Sequence, residues 1–120
     1  MAINAQLMIF SGRPDPEFPV PDDAVDELVT RVSQVVEGTQ TEQPQEGGLG
    51  YHGLRVSNTE GRTGLPEELE VFRGVVTEMN GGMTRHFVDS AGVEDFLLDQ
   101  ARAAGLGELL DAAGLDQGIA

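Results

Sequence analysis

The sequence predicts an α+β domain in which an antiparallel sheet of about four strands carries helices packed on one side. Apolar and polar residues alternate over residues 3–10, as in a strand with one buried face. Apolar residues recur at helical spacing over residues 25–36. Asn80-Gly81-Gly82 separates two strand-like segments and indicates a β-hairpin. These three patterns define the fold class.

The first half of the chain predicts a strand, a turn and a helix in that order. The turn at residues 11–16 holds two prolines and a glycine, which exclude helix and central strand. Phe18-Pro19-Val20 follows as a short extended segment. Pro21-Asp22-Asp23 opens the first helix and Gly38 ends it. Residues 39–50 are polar and lack periodicity, which predicts a flexible loop.

The second half predicts three strands and two helical segments, so the order is β-α-β-β-β-α-α within a single domain of residues 1–120. The predicted segments are strands 51–56, 71–79 and 83–90, a helix over 92–104 and a short helical turn around 109–113. Asp89 and Ser90 precede the helix predicted over 92–104 and are interpreted as its N-cap and the residue beside it.

The register of the hairpin decides which of its side chains face the core. A three-residue loop would place Val76 opposite His86 and Gly74 opposite Val88. Phe72, Val76, His86 and Val88 would then form the more apolar face, although a slip of one residue inverts the assignment.

Charge restricts the partners of this chain. It has 21 acidic residues against seven basic ones, all arginine, and a net charge of -14. Such a surface repels phosphate backbones and anionic lipids, which argues against direct nucleic-acid or membrane binding and favours a basic protein surface. Acidity that only serves solubility is the simpler interpretation. Carboxylates that mimic a nucleic-acid backbone would form one row, whereas here they are spread along the chain.

The expected compartment is the cytoplasm. The chain has no cysteine and therefore no disulfide or thiolate ligand. Its amino terminus lacks the pattern of a signal peptide, and no apolar run is long enough to span a membrane.

The proline-rich turn is the first candidate site. Prolines on both sides of Asp15 stiffen the loop, so Arg13 is presented rigidly as a planar fork for a carboxylate or phosphate. Phe18 follows as an aromatic contact. The alternative is that Arg13 pairs with Asp15 or another nearby carboxylate and only fixes the end of the strand.

The segment Gly50-Tyr51-His52-Gly53-Leu54-Arg55 is the second candidate site. Its glycines permit close approach of the backbone to a strand or to a ligand. Alternation places His52 with Leu54 and Val56, and Tyr51 with Arg55, so His52 is either a candidate acid or base or a structural histidine. The two histidines have no metal-binding spacing, and neither a metal nor another cofactor is expected.

Both segments resemble a pattern in small bacterial proteins, chiefly of GC-rich actinobacteria. There a Ser-Gly-Arg-Pro-Asn-Pro turn precedes Trp or Phe, and a Gly-Tyr-Arg-Gly strand comes later. Here Asp15 stands in place of the Asn and His52 in place of the Arg. The group carries no assigned activity, and the resemblance implies only that the two segments meet in space.

Two functions remain open on the sequence. In the first, a binding or accessory protein presents the Arg13 loop and the strand from Tyr51 to Arg55 to a partner protein or small ligand. In the second, a cofactor-independent enzyme of specialised metabolism uses His52 as acid or base and Arg13 as anion clamp around an apolar pocket. The scarcity of residues that titrate near neutral pH favours binding. Homodimerisation through an edge strand or the apolar last segment is a further expectation.

Overall fold

A computed structural model describes residues 3–8, 16–43, 52–59 and 61–112. These residues form six strands, two longer helices, a π-type turn and a short final helix. The strands are β1 Ile3–Leu7, β2 Glu17–Val20, β3 Leu54–Ser57, β4 Glu68–Phe72, β5 Val75–Asn80 and β6 Met83–Val88. The helices are α1 Asp22–Val36, α2 Val93–Ala101 and α3 Gly107–Ala112, with the π-type turn Arg102–Leu106 between the last two.

The strands form one antiparallel sheet in the order β2-β1-β3-β4-β5-β6. The α+β class and the antiparallel sheet are confirmed, whereas the predicted number of about four strands is too low. β2 was predicted only as an extended segment because it contains Pro19. The Leu7 N–H donates to Pro16 O, and hydrogen-bonded pairs alternate along an antiparallel ladder. Pro19 lies three pairs further along β2, so its nitrogen faces the open edge of the sheet, where the missing N–H breaks no ladder bond.

The second additional strand arises from a tight turn inside the segment predicted as one strand over 71–79. Arg73 and Gly74 have φ angles of 52° and 77°, the geometry of a two-residue hairpin turn, and Phe72 pairs with Val75 across it. A non-glycine residue seldom adopts positive φ, so the sequence at Arg73 gave little indication of a turn.

The register predicted for the following hairpin is wrong by one residue. Gly81 and Gly82 alone form the loop, with φ angles of 54° and 84°, and Asn80 pairs with Met83. Val76 therefore lies opposite Phe87, whose side chain is buried. His86 and Val88 point to the other face of the sheet.

A single core fills the space between one face of the sheet and the helices. All six strands contribute to it, through Ile3, Ala5, Leu7, Phe18, Val20, Leu54, Val56, Leu69, Val71, Val76 and Phe87. The first two helices contribute Ala24, Val25, Leu28, Val32, Val35, Val93, Leu97, Leu98 and Ala101. The apolar stripe predicted over residues 25–36 is thus largely confirmed. The opposite face of the sheet, called the outer face below, is left without a helical layer in the described part of the chain.

Residues 39–41, which the sequence placed in a flexible loop over 39–50, are hydrogen-bonded to strand β6. The Thr41 N–H donates to His86 O and the Val88 N–H donates to Thr39 O, both at 2.9 Å. These bonds cover the edge of β6 and place Gln43 beside the outer face. Residues 44–50 lie outside the described residues.

The side chain of Asp89 caps the second helix, although the N-cap residue is Gly92 and not Asp89 as the sequence predicted. Its carboxylate accepts hydrogen bonds from the N–H groups of Val93 at 2.7 Å and Glu94 at 2.9 Å. Asp89→Ala is expected to lower the free energy of unfolding by about 1–2 kcal/mol, because two helix amides lose their acceptor. Ser90→Ala is the matched control and should change it by less than about 0.5 kcal/mol. Urea denaturation of both variants measures the difference, and equal losses would contradict the cap.

Within the described residues, no helix is both long and apolar enough to cross a membrane.

Candidate functional site

A row of polar side chains crosses the outer face and takes one residue from each strand. The strand registers align Glu17, Gln6, Arg55, Glu70, Thr77 and His86 in this order. Neighbouring positions in such a row are about 5 Å apart, so each side chain can reach the next. We call these six residues the polar row.

Arg55 and Glu70 form the first linked pair within the polar row. The Nε and Nη2 atoms of Arg55 lie 3.1 and 2.8 Å from the same oxygen, Oε2 of Glu70. The other carboxylate oxygen, Oε1, accepts no hydrogen bond from the described residues. Within the described part of the chain, Glu70 therefore has one carboxylate oxygen available as an acceptor, although its charge is paired with that of Arg55.

Thr77 and His86 form the second linked pair, with 2.8 Å between Thr77 Oγ1 and His86 Nδ1. Thr77 is only 8% exposed, and its hydroxyl has no other hydrogen-bond partner among the described residues. A buried hydroxyl proton without an acceptor costs about 1–3 kcal/mol, so we assign the hydroxyl as donor to Nδ1. The neutral His86 ring then carries its proton on Nε2 and offers it as a donor.

A cavity of about 370 Å³ opens beside this part of the polar row, within the size range of small-molecule sites. It is lined by Met8, Gln43, His52, Glu70, Phe72, Thr77 and His86. Glu70, Thr77 and His86 supply its polar side. Met8 and Phe72 supply apolar surface, and Phe72 is 9% exposed and so forms the base rather than a rim. The cavity is thus amphipathic, as a site for a small organic molecule usually is.

His52 reaches the cavity because the backbone bulges at Gly53. The His52 N–H donates to Met8 O at 2.7 Å, and the Met8 N–H donates to Gly53 O at 2.9 Å. Two residues therefore oppose one, which is the pattern of a β-bulge and redirects a side chain. The His52 and Phe72 ring centroids lie 6.3 Å apart at 58°. The predicted alternation, which placed His52 with the core residues Leu54 and Val56, is wrong for this reason.

Gly53 has a structural role in this bulge. Its φ is +100°, and a Cβ atom there would overlap the carbonyl oxygen of Val71 and lie 2.9 Å from Phe72 Cβ. The close approach that the sequence predicted for this glycine is therefore to a neighbouring strand.

The structure separates the residues that the sequence grouped into two candidate segments. His52 lines the cavity, whereas Arg55 is engaged with Glu70 in the polar row. Phe18 is 2% exposed and packs in the core, so its side chain is not available as a surface contact. Arg13, Asp15 and Tyr51 lie outside the described residues.

The flanks of the proline-rich turn nevertheless lie close to His52. Met8 is hydrogen-bonded to His52, and Pro16 is hydrogen-bonded to Leu7, the residue before Met8. Both described ends of the segment that contains Arg13 are therefore at the His52 end of the sheet. That the Arg13 loop and His52 share one surface stays a prediction.

Sequence reasoning missed Glu70, Phe72 and Thr77 as site residues, and it assigned His86 only to the apolar face of the hairpin. Each lies in a strand and has ordinary neighbours in sequence, so only the correct register brings them together. In the described part of the chain, no three His, Asp or Glu side chains are placed to hold a metal ion.

Comparison of the chain with protein-family models, curated proteins and solved structures finds no match. The functional argument therefore depends on the cavity and its chemistry. The resemblance to small actinobacterial proteins stays a prediction.

Proposed function

We propose that this protein is a binding protein that holds a small organic ligand in the outer-face cavity. One observation carries the proposal: the two histidines of the chain, distant in sequence, line one amphipathic cavity of ligand size. The sequence allowed either a partner protein or a small ligand. A concave site with convergent polar groups is typical of small-molecule binding and favours the ligand.

The hydrogen-bonding groups of the cavity support this function. His86 is held in one orientation by Thr77, so its Nε2–H donor is positioned before a ligand arrives. Preorganisation of this kind reduces the entropy cost of binding. Gln43, which is exposed, adds both a donor and an acceptor at the rim.

A fragment screen monitored by ¹H–¹⁵N NMR spectra tests the proposal. We expect at least one fragment to shift the backbone amide signals of His52, Thr77 and His86 together in a saturable manner. A screen in which no fragment affects these three signals, or in which the saturable shifts lie only on the helices, would contradict it.

His86→Ala is expected to weaken the binding of such a fragment by about tenfold, because a hydrogen bond worth about 1–1.5 kcal/mol is lost. Thr84→Ala is the matched control, since Thr84 lies on the same strand and face but outside the cavity lining. It should leave the affinity within about twofold. Isothermal titration of both variants measures the effect, and equal affinities would argue against a role for His86.

An enzyme without cofactor is the second candidate, and the Thr77–His86 hydrogen bond is the observation that favours it. A hydroxyl that donates to an imidazole is the arrangement that activates an oxygen nucleophile. Such an enzyme would convert the ligand, and Thr77→Val would abolish turnover, whereas Thr77→Ser, which keeps the hydroxyl beside His86, would retain it. A ligand recovered unchanged after prolonged incubation with the wild-type protein would leave binding as the function.

A further inference from the structure

We propose that the ligand is a planar aromatic cation, an amine or amidine on a ring, whose cationic group binds Oε1 of Glu70. This inference rests on the proposed function, because it assigns a ligand class to the same cavity. Three features of the described residues lead to it.

The first feature is the asymmetric pairing of Glu70. Both contacts from Arg55 go to Oε2, and Oε1 has no partner among the described residues although Glu70 lines the cavity. Carboxylate oxygens only accept hydrogen bonds, so a ligand group facing Oε1 must be a donor. An ammonium or amidinium group makes the stronger, charge-assisted form of that bond.

The second feature is a notch in the polar row. Thr77 is short and buried, and it separates Glu70 from His86 on the two neighbouring strands. Strands two apart are separated by about 9–10 Å, which leaves room for the edge of a single ring above Thr77. One edge of a ring in this position would face Glu70, and the opposite edge would face the Nε2–H donor of His86. An acceptor atom on that opposite edge would accept a hydrogen bond from His86.

The third feature is the apolar base of the cavity. Met8 and Phe72 lie beside the notch and offer a thioether and an aromatic ring. Flat aromatic molecules pack well against both groups.

The net charge of the protein also favours a cationic ligand. The chain carries a net charge of -14, which raises the local concentration of cations and lowers that of anions. Among flat ring compounds of equal size, cations are therefore favoured before any contact is made.

Three probes with one ring and different charge test the inference. They are 3-(aminomethyl)pyridine, a cation with a ring acceptor, the neutral pyridine-3-methanol and the anion nicotinate. We expect 3-(aminomethyl)pyridine to bind at least about tenfold more tightly than either of the others, in line with a hydrogen bond to a charged group. Equal or tighter binding of the neutral or anionic probe would overturn the inference.

Variants of Glu70 provide the residue-level test. Glu70→Gln should weaken binding of 3-(aminomethyl)pyridine by at least about tenfold. Glu68→Gln, on the same strand and face but outside the cavity lining, should change it by less than about twofold. Arg55→Gln should strengthen binding, because Glu70 then loses its only cationic partner among the described residues. Unchanged affinity in both Glu70→Gln and Arg55→Gln would overturn the assignment.

The two proposals fail in distinguishable ways. If nicotinate or a neutral fragment shifts His52, Thr77 and His86 while the cation does not, the ligand class is wrong and the cavity is still a binding site. If no fragment of any charge reaches the cavity, the proposed function itself fails.

Discussion

Gly53→Ala is expected to lower the free energy of unfolding by about 4 kcal/mol, a large part of the roughly 5–15 kcal/mol that stabilises a domain. Two costs add. An alanine at a φ of +100° is strained by about 1–3 kcal/mol. Its Cβ would also overlap the carbonyl oxygen of Val71, and relieving such overpacking costs about 1–3 kcal/mol more.

The control for this variant is Gly61→Ala. Gly61 also has a positive φ, of +67°, but a Cβ built there meets nothing within 4 Å. The expected loss is therefore only the backbone strain of about 1–2 kcal/mol. Chemical denaturation of both variants measures the difference, and equal losses would show that β4 does not approach Gly53 closely. Since Gly53 also forms the bulge that directs His52 to the cavity, the alanine variant should bind fragments more weakly.

Phe87→Ala is expected to lower the free energy of unfolding by about 3–5 kcal/mol, because it leaves a large cavity in the core. Phe87 is 1% exposed and lies opposite Val76, a second fully buried residue. The ladder between β5 and β6 and the packing of α1 against β6 hold the surroundings of Phe87 in place, so the space can close only in part. Thermal and urea unfolding should both show the loss.

Val88→Ala tests the register of the same hairpin from the other side. Val88 is 41% exposed on the outer face, so its truncation should cost less than about 1 kcal/mol. The register with a three-residue loop would reverse the order, with Val88 in the apolar face and Phe87 outside it. A larger loss of unfolding free energy for Val88→Ala than for Phe87→Ala would therefore support the register with a three-residue loop. In that register Thr77 and His86 would not lie opposite each other, so the polar row would not form.

The helices could be predicted from the sequence because their signals are local. The stripe from Val25 to Val35 repeats every three or four residues, and Asp89 supplies a carboxylate acceptor just before the second helix. The sheet was harder, because its strand count and register depend on turns. Arg73 adopts a backbone conformation that favours glycine, and the loop at Gly81 is one residue shorter than assumed.

The candidate site could be predicted only in part for the same reason. His52 was selected from its glycine-flanked segment, but its orientation depends on a bulge that alternation does not describe. Glu70, Thr77 and His86 come from three strands and align only when the registers of two strand pairs are both correct. A shift of one residue in either pair would have put Thr77 on the opposite face from Glu70 or His86.

Isotope-filtered NOE measurements on the tightest-binding fragment test whether the outer face of the sheet holds a small ligand. We expect contacts from the fragment to the Met8 methyl group, the Phe72 ring and the His86 ring, three groups that line the outer-face cavity. Contacts confined to the helices, or a tightest fragment that contacts none of these three groups, would contradict the account.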